Sequence, residues 1–311
     1  MRDDVPIGRM PQQSNLLGCL WMMAGGLLFV AVTVLVRLLG SDMPAVEAAF
    51  IRYLIGVILL LPMLWRMRKR NFGLSSGSFR LYALRGLVHG VAVMLWFFAM
   101  ARIPLSEVTA IGFSTPVFTA LGAILIFHEQ VKVRRMMAIA AGFIGTLIIL
   151  RPGFNSIEAG SLAQLVAAFF FAGSFLLTKR MTQSESSEDI LVMLSVFCTL
   201  ALLPGALYFW REPTLLEIAW LGLVAVFATA GHYAITRAIA AAPLTVTQPL
   251  SFMQLIWAIG IGYWVFDEVP DSWVIIGASI IVGAVTYLTH REAQVARRRK
   301  LMAATTPVSP G

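Results

Sequence analysis

The 311-residue chain is 59% hydrophobic and only 13% charged, with a mean hydropathy of +0.81. A soluble globular domain averages roughly 25% charged residues, so this composition excludes a soluble enzyme and indicates an integral membrane protein. The net charge of +8 would also suit a nucleic-acid binder, but the placement of the charges argues against that interpretation.

Ten apolar segments of about the 20-residue length that crosses a bilayer follow one another along the chain. A cytoplasmic tail, 1–15, precedes them, and a basic tail, 291–311, follows them. We therefore predict an all-α integral membrane protein with ten transmembrane helices and no separate soluble domain. The predicted spans are 16–39, 44–64, 81–101, 105–127, 134–150, 161–179, 190–209, 214–235, 244–265 and 273–289.

The basic residues are distributed unevenly between the predicted loops. With the amino terminus placed in the cytoplasm, 18 of the 24 Lys and Arg fall on the inner side, three on the outer side and three within spans. This bias follows the positive-inside rule and predicts a multi-pass protein of the bacterial inner membrane with both termini in the cytoplasm. The excess charge is then explained by topology and by contact with anionic membrane lipid, and we expect no nucleic-acid partner.

Residues 104–129 recur weakly as residues 243–268. Both copies begin with Pro-Leu-Ser/Thr, continue as an apolar run of membrane length and end on an acidic residue, Glu129 or Glu268. Five spans per half is an odd number, so the second copy must cross the membrane in the opposite sense. Such inverted repeats around a midplane site are typical of secondary transporters.

Five short segments have a pattern shared with a known family: Ala49–Gly56 (AFIRYLIG), Ala99–Val108 (AMARIPLSEV), Phe127–Gln130 (FHEQ), Ala238–Thr245 (AIAAAPLT) and Phe266–Val269 (FDEV). With these segments, the chain resembles the EamA-type carriers of the drug/metabolite transporter superfamily. The resemblance implies two inverted five-helix repeats, 16–150 and 161–290, around a central substrate cavity. It does not imply one substrate, because members carry amino acids, sugars, nucleotide derivatives, vitamins and drugs.

Charged side chains within spans cost roughly 2.5–3.5 kcal/mol each on insertion scales, so each is a candidate functional group. Arg52 lies near the midplane of span two and is a candidate donor to a carbonyl, carboxylate or phosphate of the substrate. The alternative is a structural Arg that bonds helix-end carbonyls. Glu107 enters span four, either as a proton-coupling carboxylate or as an acid at a helix start, where the dipole favours it. Arg37 and Lys179 are expected to snorkel to the interface.

Aromatic and imidazole side chains are candidates for the wall of a substrate cavity. His89 and His232 suit substrate binding or proton relay, and the alternative for both is a hydrogen bond between helices. Trp96 and Trp257 suit an aromatic wall, and the alternative for both is packing against lipid or the protein core.

Uncharged polar residues within apolar spans form a third group of candidates. Thr115 and Gln254 occupy equivalent positions in the two copies, and Gln164 and Gln248 lie in spans six and nine. Amides donate and accept hydrogen bonds, which suits a polar ligand in a dry cavity; bonds between helices are the alternative. Pro116 interrupts span four and predicts a kink there.

Signatures of enzymes and metal sites are absent from the sequence. It contains no HExxH, GxSxG or Gly-rich phosphate loop, and its two cysteines lack clustered ligands. We therefore expect no catalytic residue, no cofactor and no metal. Small residues in spans five and ten indicate close helix contact, either within one chain or across a homodimer.

Together these patterns predict a secondary transporter of a small organic solute. The solute should be neutral or anionic, because Arg52 has no deep carboxylate to balance it. Within the superfamily the chain resembles the vitamin-uptake carriers, which makes riboflavin the expected substrate. The alternatives are an exporter of amino acids or related metabolites and a membrane interaction protein that transports nothing.

Overall fold

A computed structural model of the chain describes residues 15–69, 76–127, 133–151, 158–181, 185–241 and 253–305. Within these ranges the secondary structure is entirely helical, which confirms the all-α prediction. The helices are α1 (Asn15–Leu39), α2 (Ala45–Leu59), α3 (Leu61–Lys69), α4 (Ser76–Met100), α5 (Leu105–Gly112), α6 (Ser114–Phe127), α7 (Val133–Leu150), α8 (Ala159–Met181), α9 (Ser187–Tyr208), α10 (Leu215–Ala241), α11 (Met253–Phe266) and α12 (Ser272–Thr305).

Several of these helices suit a bilayer. Among the described residues, α1, α4, α8, α9 and α10 are long and apolar enough to cross a membrane, and the pair α2 and α3 passes the same test with a bend of 55°. The apolar parts of α7, α11 and α12 are shorter. Large apolar side chains are exposed around the bundle, Leu215 by 87% and Trp264 by 82%. Such a surface fits contact with lipid.

Two helix breaks coincide with prolines. Span four divides at Phe113 into α5 and α6, because Pro116 has no amide hydrogen for the carbonyl of Gly112; this confirms the predicted kink. Span two also divides, at Leu60, which the sequence analysis did not predict. Pro62 lies at the second position of α3, where the missing amide hydrogen interrupts no intrahelical bond.

The basic tail is more ordered than predicted, because α12 continues past residue 290 to Thr305. Its extension is rich in Ala and Arg, which have high helix propensity. Gln294 Nε2 lies 2.9 Å from His290 Nε2, one turn earlier. The last predicted span and the tail as far as Thr305 are therefore one helix.

The packing brings together helices from different halves of the sequence. The principal contacts join α1 with α10, α4 with α8, and α7 with α12, while α9 packs on both α2 and α4. At the α7–α12 crossing, a Cβ on Gly145 would lie 2.7 Å from the Gly277 carbonyl oxygen, and one on Gly277 2.5 Å from the Gly145 oxygen. This small-residue contact therefore joins spans five and ten within one chain.

Candidate substrate cavity

A cavity of about 180 Å³ lies between the two halves of the sequence. The first half contributes side chains from α1, α4, α5 and α6, and the second half contributes side chains from α8 and α11. Neither half could form it alone.

An aromatic wall encloses part of the cavity. Within this wall Trp96 on α4 lies between two phenylalanines. Its ring centroid is 6.5 Å from that of Phe29 on α1 and 6.0 Å from that of Phe171 on α8. The ring planes are inclined at 52° and 81°, as in the tilted pairs that aromatic rings prefer. Of the two tryptophans proposed for a cavity wall, Trp96 therefore lines this cavity.

Polar groups line the rest of the cavity. Thr115 and Gln254, from equivalent positions of the two copies, both face it, as does Gln164. Gln164 is only 3% exposed and its Oε1 has no hydrogen-bond partner. A buried polar atom without a partner is costly, so this amide is available to a bound polar molecule.

Two other candidates are placed differently. Trp257 is half-buried and does not line the cavity; it packs with Gln254 against α1, where a Cβ on Gly26 would lie 3.1 Å from each side chain. Glycine therefore allows the close approach of α1 and α11 at this point. Gln248 lies outside the described residues.

His89 and His232 lie directly behind the aromatic wall. The ring centroid of His89 is 5.2 Å from Phe171, and that of His232 is 5.0 Å from Phe29. His89 Nδ1 is 3.0 Å from Ser174 Oγ on α8, so the interhelical hydrogen bond given above as the alternative is present. The two imidazoles lie 6.4 Å apart.

Two buried arginines accompany these histidines. Arg52 is 7% exposed and its guanidinium lies 4.0 Å from the ring centroid of Tyr53. Arg85 is 8% exposed and donates from Nη1 to the carbonyl of Ile190 at 3.1 Å. Neither guanidinium forms an ion pair with a described carboxylate. We call Arg52, Arg85, His89 and His232 the arginine–histidine cluster.

An ion pair joins the two halves of the sequence at one end of the bundle. Arg37 Nη2 lies 3.0 Å from Glu268 Oε1, and Arg37 Nη1 donates to the carbonyl of Ile103 at 3.1 Å. The amide of Leu105 donates to Glu268 Oε2 at 2.9 Å. Because Thr33 of the cavity precedes Arg37 by one turn, this pair lies about 6 Å from the cavity. The sequence analysis expected Arg37 to reach the interface and gave it no partner.

Further ion pairs lie at the same end. Arg151 pairs with Asp271, which joins α7 to α12, and Arg211 pairs with Glu217 on α10. Glu107, in the first turn of α5, accepts a hydrogen bond from Ser161 on α8. We call the six charged residues of the three ion pairs the ion-paired rim; they are Arg37, Glu268, Arg151, Asp271, Arg211 and Glu217.

Sequence reasoning missed several residues of the site. Phe29 and Phe171 carry no distinguishing local pattern in apolar helices. Glu268 was visible as the acid that ends the second copy, but Arg37 lies 231 residues away. The two residues meet because α1 packs against α11, which the sequence alone does not indicate. Among the described residues there is no cluster of potential metal ligands.

Comparison with known proteins shows the family to which the chain belongs. The chain matches the EamA-like transporter family over residues 16–151 and again over residues 158–289. It belongs to that family. The two matches of this EamA transporter adjoin one another and together cover most of the chain, including every residue described above as lining the cavity.

Curated relatives of this EamA transporter have several different names. It is 30% identical to the riboflavin transporter of Vibrio cholerae, over 92% of this chain and 97% of that protein. It is 25% identical to an S-adenosylmethionine uptake transporter of Rickettsia bellii (91% and 97%) and 24% identical to the pseudopaline exporter of Pseudomonas aeruginosa (88% and 96%). A solved crystal structure matches with a TM-score of 0.60 at 15% identity, over 92% of this chain and 99% of that one, which supports the fold alone.

Proposed function

We propose that this transporter takes up a small, flat, neutral or anionic metabolite across the bacterial inner membrane, with riboflavin as the best candidate. The observation that carries the proposal is the cavity, because four aromatic residues and the unpaired amide oxygen of Gln164 line it. Aromatic faces stack on a flat ring, and an amide binds its polar edge. The similarity to the riboflavin transporter of Vibrio cholerae supports the same substrate.

We further propose ten spans in two inverted repeats, 16–150 and 161–290. We number the spans of each half one to five. The contact α1–α10 then joins span one of the first half to span three of the second, and the contact α4–α8 joins span three of the first half to span one of the second. The contacts α7–α12 and α2–α9 each join equivalent spans. This exchange supports the repeat, and so do the two consecutive family matches.

The proposed topology places both termini in the cytoplasm and the ion-paired rim outside, in accord with the positive-inside rule. A reporter that is active only outside the inner membrane should give no signal after Lys300 and a strong signal within 151–160. Activity at the carboxyl terminus would contradict the topology, since it requires an odd number of spans.

The substrates named for the relatives differ in charge. Riboflavin is neutral, whereas S-adenosylmethionine is a sulfonium cation. Repulsion between a cation and a guanidinium at ~6 Å is roughly 3 kcal/mol at an effective dielectric of 20. Because Arg52 and Arg85 are both buried and neither pairs with a carboxylate in the described part of the chain, we propose that this chain disfavours the cation.

Uptake of labelled riboflavin by a vitamin-auxotrophic strain that expresses this protein tests the proposal. Trp96→Ala should lower uptake about tenfold, the equivalent of one lost stacking contact. Trp264→Ala, on the exposed surface, is the matched control and should leave uptake unchanged. Equal effects of the two substitutions, or uptake of S-adenosylmethionine in place of riboflavin, would contradict the proposed substrate.

The alternative function is export of an amino acid-like metabolite, and the similarity to the pseudopaline exporter of Pseudomonas aeruginosa favours it. Everted membrane vesicles separate the two directions. Accumulation of riboflavin in right-side-out vesicles supports uptake, and accumulation only in everted vesicles supports export.

Glu107 remains the proposed coupling residue, although it lies near the rim and does not line the cavity. Ser161 donates a hydrogen bond to it from the other half, so proton binding there would alter a contact between the halves. Glu107→Gln should make uptake independent of the proton gradient, while Ser161→Ala should preserve that dependence. A gradient dependence that survives Glu107→Gln would indicate a purely structural acid.

A further inference from the structure

The arginine–histidine cluster contains positive charge that no carboxylate of the described residues balances. A guanidinium cannot lose its proton in a protein, so Arg52 and Arg85 both remain cationic although each is more than nine-tenths buried. Arg52 lies over the ring of Tyr53, and Arg85 bonds one carbonyl oxygen, while its Nε has no hydrogen-bond partner. Buried charges are normally paired with an opposite charge, and no described carboxylate supplies one here.

The cluster adjoins the aromatic wall of the cavity. Arg85, His89 and Trp96 follow one another at intervals of four and seven residues along α4, so they share one face of that helix. This face runs from the cluster to the aromatic wall over about 16 Å. Phe171, which lines the cavity, contacts His89 directly.

Ring contacts also join the members of the cluster. The Tyr53 ring, which carries the guanidinium of Arg52 on its face, has its centroid 6.3 Å from that of His89, and Arg85 precedes His89 by one helical turn. The histidines therefore provide donors or acceptors beside two cations, at a site that one ring layer separates from the cavity. Arginine binds the oxygens of carboxylates and phosphates through its planar fork of N–H groups.

We propose that Arg52 and Arg85 form an anion subsite on the transport pathway, which holds a phosphate or carboxylate group. The group belongs either to the substrate, as an acidic tail beyond the flat ring in the cavity, or to a free inorganic anion that travels with it. The proposal rests on the transport function given above for its role, but the binding of an anion can be tested without transport.

Inorganic phosphate is the first probe, applied to the purified full-length protein in detergent. Phosphate should raise the melting temperature of the wild-type protein, because a ligand that binds only the folded state stabilises it. The increase should be lost in Arg85→Met and retained in Arg102→Met, which removes an exposed arginine. Arg85→Lys keeps the charge in place and should retain part of the increase.

A matched pair of flavins separates the two sources of the anion. Riboflavin and riboflavin 5′-phosphate share one ring system and differ by the phosphate, so an acidic-tail subsite should bind the phosphate ester about tenfold more tightly. Arg85→Met should remove that advantage while riboflavin itself still binds. If the ester has no advantage but phosphate stimulates riboflavin uptake, the occupant is a free anion.

Two results would overturn the subsite: no stabilisation by phosphate together with equal binding of both flavins, or effects that persist unchanged in Arg85→Met. These outcomes differ from failure of the proposed function. If riboflavin is not transported but phosphate still stabilises the wild-type protein and not Arg85→Met, the anion subsite stands and the substrate assignment falls.

Discussion

The ion-paired rim and the arginine–histidine cluster place the same kinds of side chain in opposite circumstances. At the rim, Arg37 is 23% exposed and has a carboxylate at 3.0 Å. In the cluster, Arg52 and Arg85 are 7% and 8% exposed and have none. The more deeply buried arginines are thus the unpaired ones, the reverse of what stability alone would favour.

This difference indicates what each region does. Charges that meet across the halves, such as Arg37 and Glu268, stabilise one arrangement of the helices and must separate if that end opens. Charges left unpaired in the interior lower stability and are retained where a ligand completes them. Under the functions proposed above, the rim concerns conformation and the cluster concerns binding.

Removing Glu268 should have the largest effect on stability. Glu268→Ala leaves Arg37 and the amide of Leu105 without their acceptor, so we expect the free energy of unfolding to fall by about 2–3 kcal/mol. Unfolding of the purified protein in detergent measures it. Glu212→Ala, at an exposed acid of the same end, is the control. A loss no larger than that of the control would contradict a stabilising role for the ion pair. Adding Arg37→Met to Glu268→Ala should recover part of the lost free energy of unfolding.

The internal repeat predicts a second pair at the opposite end. Glu129 is equivalent to Glu268, and Lys179 lies near the end of span six as Arg37 lies near the end of span one; Glu129 lies outside the described residues. A Lys makes a single contact where Arg makes several, so we expect a smaller coupling energy, about 1.5 kcal/mol. A double-mutant cycle with Glu129→Ala and Lys179→Met measures it. Additive effects would refute the second pair.

Substitution of Arg85 should stabilise the protein, whereas substitution of Glu268 should destabilise it. Arg85→Met removes an unpaired buried charge and one hydrogen bond, and a charge of this kind costs more than one neutral bond contributes. We expect the free energy of unfolding without added anion to rise by about 1 kcal/mol. Detergent unfolding in a phosphate-free buffer checks the sign. A clear decrease would show that the cluster is a structural element and would remove the contrast with the rim.

The smallest effect is expected at Asp271. Its side chain is 39% exposed and that of Arg151 is 30% exposed, so solvent screens the pair. Asp271→Asn should lower the free energy of unfolding by less than about 1 kcal/mol, and added salt should reduce the difference further. A loss as large as that for Glu268→Ala would show that exposure does not rank the rim pairs.

Much of the fold was predictable because a membrane restricts the chain. The apolar segments gave the bounds of α1, α7, α8 and α9 to within three residues, and Pro116 gave the break between α5 and α6. The bend at Leu60 was not predicted, since Pro62 sits where a helix start tolerates it. The helical extension to Thr305 was missed because its polar composition resembles a tail.

The sequence by itself determined the class of protein, the uneven distribution of basic residues, the weak repeat and the residue types available for a site. Only the tertiary structure decided which of those residues meet. Hydropathy fixes where a helix lies along the membrane normal, but packing fixes its rotation about its own axis. That rotation turns Trp96 and Gln164 into the cavity, leaves Trp257 beside it and places His89 behind Phe171. Arg37 and Glu268 are 231 residues apart in the chain, and they meet because helices of the two halves pack side by side.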